Sequence, residues 1–151
     1  MKCQRCARIA GGECCKNAPG ATIPEDFGMP ETIQLAAALA SGRWAVDWWE
    51  GDPRPECEEY DQVYFVRPAV TGFEGKIYHP AWGGPCTFLK LPGCELSAEK
   101  RPWACRVLEP HDPQPCKLPE GIGNTKQFSA CAWLPFQAIL SAVADKQVER
   151  S

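Results

Sequence analysis

Ten cysteines against two histidines in 151 residues make thiol chemistry the first candidate. The N-terminal group is Cys3-x2-Cys6-x7-Cys14-Cys15. Cys-x2-Cys is the shortest spacing that lets two thiolates turn back onto one metal. Cys14 and Cys15, eight and nine residues after Cys6, bring the local number to four. Four is what a tetrahedral zinc or a four-iron cluster requires. Adjacent side chains diverge in a helix or a strand, so one of Cys14 and Cys15 can face a second site or remain unligated.

A second group occupies the middle of the chain. It comprises Cys86 in Gly84-Pro85-Cys86-Thr87-Phe88-Leu89, Cys94 in Gly93-Cys94-Glu95-Leu96, and Cys105 in Arg101-Pro102-Trp103-Ala104-Cys105-Arg106. Together with the upstream Cys-x2-Cys and Cys-Cys pairs, these residues resemble the YkgJ-type cysteine-cluster family, which is associated with zinc or iron chelation. That pattern runs Cys-x2-Cys, Cys-Cys, a Cys before an aromatic-Leu pair, a Gly or Arg before another Cys, and Arg-Pro-x2-Cys-Arg. The resemblance covers the first 16 residues and positions 84 to 108. The gap from Cys6 to Cys14 is longer than in the family's compact version, and the tryptophan-rich stretch Trp44 to Trp82 is an addition to it.

Carried over residue by residue, the resemblance implies metal ligation by members of the set Cys3, Cys6, Cys14, Cys15, Cys86, Cys94 and Cys105. Seven thiolates exceed one four-coordinate site and fall short of two. Cys116, eleven residues past Cys105, is the best supplementary ligand, ahead of the more distant Cys57 and Cys131. Soft thiolates select zinc or an iron-sulfur cluster over magnesium, calcium or carboxylate-bound iron. A four-thiolate zinc site has net negative charge, so cations are expected beside it. Arg101 and Arg106 flank Cys105, and Arg5 and Arg8 flank Cys6, as guanidinium donors able to hydrogen-bond sulfur.

Two functional classes follow. The first is a metal-binding module, and the second an iron-sulfur enzyme performing redox or methyl-transfer chemistry, since a flagellin lysine methyltransferase resembles this family in its cysteine motif. Catalysis has no independent signature. There is no Ser-His-Asp order and no dinucleotide fingerprint, and Gly121-Ile122-Gly123 is too short for a phosphate loop. A thioredoxin-like role for Cys3 and Cys6 would need a βαβ scaffold that the pattern does not offer.

The elements that must position these cysteines are short. Met1 to Gly20 has no hydrophobic period and reads as a ligand loop. Pro30 to Ala40 predicts a helix with Ile33, Ala36, Ala37 and Ala40 on its apolar face, ended by Ser41 and Gly42. Arg43 to Glu50 and Gln62 to Arg67 predict an antiparallel strand pair, with Trp44, Trp48 and Trp49 in the core. Pro68 to Gly123 leaves space only for short strands and turns. Asn124 or Thr125 caps a helix running towards Gln147, with Phe136, Ile139, Leu140 and Val143 on one stripe and a kink or restart at Pro135. Cys131 reads as a small buried hydrophobe on that helix, and His79 and His111 as solvated loop residues. The expected fold class is α+β: one small irregular domain over residues 1–151, with short strands, a C-terminal helix and metal-organised cysteine loops.

Bulk properties narrow the setting. A net charge of -3 and scattered Lys and Arg leave no basic stripe for nucleic acid. No run approaches the roughly 20 consecutive apolar residues of a bilayer span. Met1 to Ala10 lacks the apolar core of a secretory signal, which points to a reducing cytoplasm. There the cysteines are thiols rather than five disulfides, and a bridge between adjacent Cys14 and Cys15 would in any case be strained.

Overall fold

The computed structural model describes residues 20–80, 83–90, 93–97, 100–107 and 125–150. Its elements run as a 3-10 turn (Pro24–Phe27), α1 (Ile33–Ala40), β1 (Trp44–Glu50), β2 (Gln62–Pro68), β3 (Leu89–Lys90) and β4 (Gly93–Cys94), followed by α2 (Trp103–Val107), α3 (Thr125–Trp133), a second 3-10 turn (Leu134–Phe136) and α4 (Gln137–Arg150). The class is α+β, as expected.

β1 and β2 pair antiparallel in a register that sets Val46 opposite Val66 and Trp48 opposite Tyr64. Burial is continuous through Ala45–Asp47 and Phe65–Pro68, so both faces of that end of the sheet are covered. Its edges are occupied as well. Outside β1, Val46 N–H donates to Ile77 O at 2.7 Å and His79 N–H donates to Val46 O at 3.0 Å, which adds a short parallel segment. Outside β2, the Gln137 amide bonds both Tyr64 N–H (2.8 Å) and Tyr64 C=O (2.9 Å), and Thr22 N–H donates to Val66 O at 3.1 Å. Satisfying edge donors and acceptors in this way blocks pairing with another chain.

The main core joins Leu35 and Leu39 of α1, Val46, Val63, Phe65 and Val66 of the sheet, Ala130 and Trp133 of α3, and Leu140 and Ala144 of α4. Here α1 departs from its expected face. Its helix starts at Ile33, which is 79% exposed, and Leu35 and Leu39 are the buried residues. Spaced i and i+4, those leucines share one side and bury more apolar area than the alanines could. The end of α1 is as expected: Ser41 caps it and Gly42 follows at φ 80°. Pro135 divides the C-terminal helix, and the second part continues past Gln147 to Arg150. The stretch Thr125–Glu149 is long and apolar enough to cross a membrane. In this fold Ala130, Trp133, Leu140 and Ala144 are fully buried in the core.

Candidate metal centre

The three cysteines of the central group come from three different local structures. After β2 the chain continues as Ala69–Thr71, and Thr87 N–H donates to Ala69 O (2.9 Å) while Thr71 N–H donates to Pro85 O (2.8 Å). This ladder places Cys86 opposite Val70. Gly84 permits the approach: it sits at φ 120°, and a Cβ there would lie 2.7 Å from Val70 Cγ1. The β3–β4 hairpin sets Cys94 opposite Leu89, and Glu95 N–H donates to Phe88 O at 2.7 Å. Cys105 lies on α2, a helical turn not anticipated from the Pro- and Gly-punctuated sequence around it. That turn is fixed from outside: Trp103 N–H donates to Asp26 Oδ2 at 2.9 Å, and the Trp103 ring stacks on Phe128 at 4.3 Å.

These structures meet in a second, smaller apolar cluster. Cys86 and Phe88 are its buried residues, and Trp44, Leu89, Cys94, Leu96 and Cys105 pack against them. The three central cysteines therefore share one locality despite a span of 19 residues between Cys86 and Cys105. Cys86 is 5% exposed, whereas Cys94 and Cys105 are half-buried. Among the described residues no three His, Cys, Asp or Glu side chains are disposed to hold a metal ion on their own. Cys3, Cys6, Cys14, Cys15 and Cys116, together with Arg5, Arg8 and His111, lie outside the described residues.

The point where the N-terminal segment joins this structure is fixed beside Cys105. A Cβ built on Gly20 would lie 2.5 Å from Cys105 Sγ. Ala104 N–H donates to Ala21 O at 3.0 Å. Thr22 is fully buried, its hydroxyl donating to Val66 O (2.6 Å) and its carbonyl accepting from Trp133 Nε1 (3.2 Å). Residues 20–22 are thus stitched between α2, β2 and α3, with the Cys105 thiol against the Gly20 backbone.

A cation that the sequence did not single out stands at this cluster. Arg43, just before β1, lies over the Phe88 ring at 4.2 Å, donates to Thr87 O at 3.1 Å, and pairs with Glu95 at 2.5 Å. The bond to Glu95 holds its guanidinium above the ordinary arginine value against the burial that lowers it, and the Glu74 carboxylate adds to the rise. Glu74 is in turn held below the usual carboxylate range, first by the Thr87 hydroxyl at 2.7 Å. Arg43 is separated from every cysteine of the motif by at least 28 residues, so no local spacing could reveal it. Arg101 is buried, and its Nε donates to Leu96 O at 3.2 Å. The Arg106 side chain lies outside the description.

Three other expectations resolve away from the centre. His79 lies outside the helices and strands, as expected, but is half-buried: it stacks on Phe73 at 4.6 Å and its Nδ1 lies 3.3 Å from the buried Arg67 guanidinium. Burial, and then the Arg67 charge, lower its pKa. Cys131 is half-buried rather than fully buried. Trp44 and Trp49 pack against the main core as expected, and Trp44 bridges to the cysteine cluster through Phe88 at 5.4 Å, whereas Trp48 is half-buried outside that core, with its Nε1 donating to Glu50 and its ring edge-on to Tyr64. Compared with protein-family models, curated proteins and solved structures, the chain matches none of them.

Proposed function

We propose that this chain is a thiolate metal-binding protein of the YkgJ type that its motifs resemble, holding zinc or an iron-sulfur cluster through N-terminal and central cysteines. The observation that carries this reading is the convergence of Cys86, Cys94 and Cys105 on one cluster, with Cys105 Sγ against Gly20. Cys14 and Cys15 are six and five residues before Gly20. At about 3.3–3.6 Å per residue, covalent geometry keeps them within roughly 22 Å of that point. Loop closure is therefore no obstacle to a shared site formed by Cys3, Cys6, Cys14, Cys94 and Cys105, with Cys15 and Cys86 completing it or belonging to a second and Cys116 as the reserve ligand. The donor chemistry fits the group: soft thiols in an apolar surround, with Arg43 alongside to offset thiolate charge. Zinc would act as a structural cross-link for loops that lack a core of their own, whereas a cluster would supply electron-transfer chemistry and support the enzymatic alternative. Either requires reduced thiols, as in a cytoplasm.

The test is anaerobic purification followed by metal analysis and a visible spectrum. Stoichiometric zinc in a colourless protein, or iron with a broad visible band, is the expected result. Cys94→Ala and Cys105→Ala should each lower metal content, while Cys57→Ala, on an exposed loop elsewhere, should leave it unchanged. A fully reduced wild-type protein without bound metal, or full metal retention in both Cys94→Ala and Cys105→Ala, would defeat the reading.

A further inference from the structure

Arg43 is held by its backbone as well as by its side chain. Its N–H donates to Ser41 Oγ at 3.2 Å, and its carbonyl accepts from Ala69 N–H at 2.8 Å. Ala69 O accepts in turn from Thr87 N–H at 2.9 Å, and the guanidinium of Arg43 returns to Thr87 O from Nη2 at 3.1 Å. One residue thus closes a ring of hydrogen bonds through Ala69 and Thr87. The Thr87 hydroxyl is occupied too, donating to Glu74 Oε2 at 2.7 Å. Thr87, the neighbour of Cys86, is therefore fixed through all three of its polar groups.

The same fork reaches the β3–β4 hairpin. Nη1 donates to Glu95 Oε2 at 2.5 Å and Nη2 to Glu95 Oε1 at 3.2 Å, a bidentate pair, while Glu95 N–H donates to Phe88 O at 2.7 Å. The guanidinium lies over the Phe88 ring at 4.2 Å. Arg43 so grips the residue after Cys86, the residue after Cys94 and the ring against which both cysteines pack. A planar fork fixes direction as well as distance, which an ammonium on a flexible stem does not.

We propose that Arg43 is a positioning residue of the thiolate centre, its guanidinium clamping the Cys86 and Cys94 segments together so that their thiols are already in place when metal binds. This role rests on the proposed metal-binding function and adds geometry to the charge that Arg43 brings. Ordering two ligand-bearing segments beforehand removes their conformational cost from the binding step. The Arg43–Glu95 pair is partly exposed, so it contributes little to overall stability, and loss of the clamp falls on metal affinity rather than on folding.

The test titrates zinc alone into the full chain, reduced and stripped of metal, against a chromogenic chelator of known affinity. Wild type is compared with Arg43→Lys, Arg43→Met and Glu95→Gln, and with Arg54→Lys, which breaks a similar bidentate pair to Asp52 on the loop joining β1 to β2. Arg43→Lys keeps the charge and loses the fork. It, Arg43→Met and Glu95→Gln should each weaken zinc binding about 10–100-fold at little change in urea midpoint, and Arg54→Lys should match wild type. Arg43→Lys with Glu95→Gln should bind no more weakly than the worse single variant, because both remove one clamp. In metal-free Arg43→Lys, hydrogen exchange of the Glu95 amide should quicken. Wild-type affinity in Arg43→Lys would overturn the clamp, since charge alone would then suffice, as would equal weakening in Arg54→Lys, affinities that merely follow the urea midpoints, or unchanged Glu95 exchange. A wild-type chain that takes up no zinc would instead remove the metal-binding function itself, and this role with it.

Discussion

Alanine at Gly20 would put a methyl carbon 2.5 Å from Cys105 Sγ, with Ala104 Cβ and Cys105 N each at 3.5 Å. Non-bonded heavy atoms settle at about 3.5–4.0 Å, so roughly 1 Å of separation has to be recovered. The Gly20 side has little freedom to supply it. Ala21 O is bonded to Ala104 N–H and Thr22 is held by Val66 and Trp133, so the displacement falls on the Cys105 side chain or on α2. Overpacking of this kind costs about 1–3 kcal/mol, and the lower unfolded-state entropy of alanine offsets about 0.4–1 kcal/mol of it. The expected net loss is about 1–2 kcal/mol. Urea denaturation of wild type, Gly20→Ala, Cys105→Ala and the double variant, all in excess chelator so that metal content does not enter, isolates the contact as a double-mutant cycle. In the Cys105→Ala background the clash partner is gone, and the Gly20→Ala penalty should fall to zero or reverse sign. A Gly20→Ala protein as stable as wild type, or an equal penalty in both backgrounds, would show that the Cys105 sulfur does not lie against the Gly20 backbone. Under the proposed metal-binding function the same variant should bind less metal, because the sulfur has been moved.

Two further predictions concern the Arg67 pair. Arg67 is fully buried, donating from Nε to Asp47 Oδ2 at 2.9 Å and from Nη1 to Pro68 O at 2.9 Å, and it also bonds the His79 carbonyl. Arg67→Met leaves Asp47, 3% exposed, without its nearest cation and should cost about 3–5 kcal/mol in urea denaturation. Hydrogen exchange of the His79 amide should quicken with it, and a loss under 1 kcal/mol would contradict a buried pair. His79 has its folded pKa lowered below 6.5, so the folded state favours the neutral ring. Its contribution to stability is present above pH 6.5 and is lost as the pH falls through the lowered folded value, because the unfolded chain takes up the proton first. His79→Gln should therefore flatten the decline in stability between pH 7 and pH 5, and an unchanged slope would refute this.

Local chemistry made part of the molecule legible in its sequence. Enrichment in Trp, Val, Tyr and Phe specified β1 and β2 and the Pro- and Glu-rich loop between them their antiparallel pairing, Gly42 marked the end of α1, and Pro135 marked the break before α4, because each acts through its own backbone preferences. The central motif likewise identified Cys86, Cys94 and Cys105 as a group. Other features depended on partners distant in the chain. Leu35 and Leu39 rather than Ile33 face inward because α4 and the sheet provide a surface on that side, and α2 forms where Asp26 and Phe128 can anchor Trp103. Arg43 joins the cysteine cluster only because β1 brings it to Phe88, and the requirement for glycine at position 20 arises only because Cys105 Sγ occupies the space a side chain would need. Residue type and spacing raised thiolate chemistry as the expectation for this chain. Which side chains share a site was decided by long-range packing and hydrogen bonding, whose geometry no short window of sequence contains.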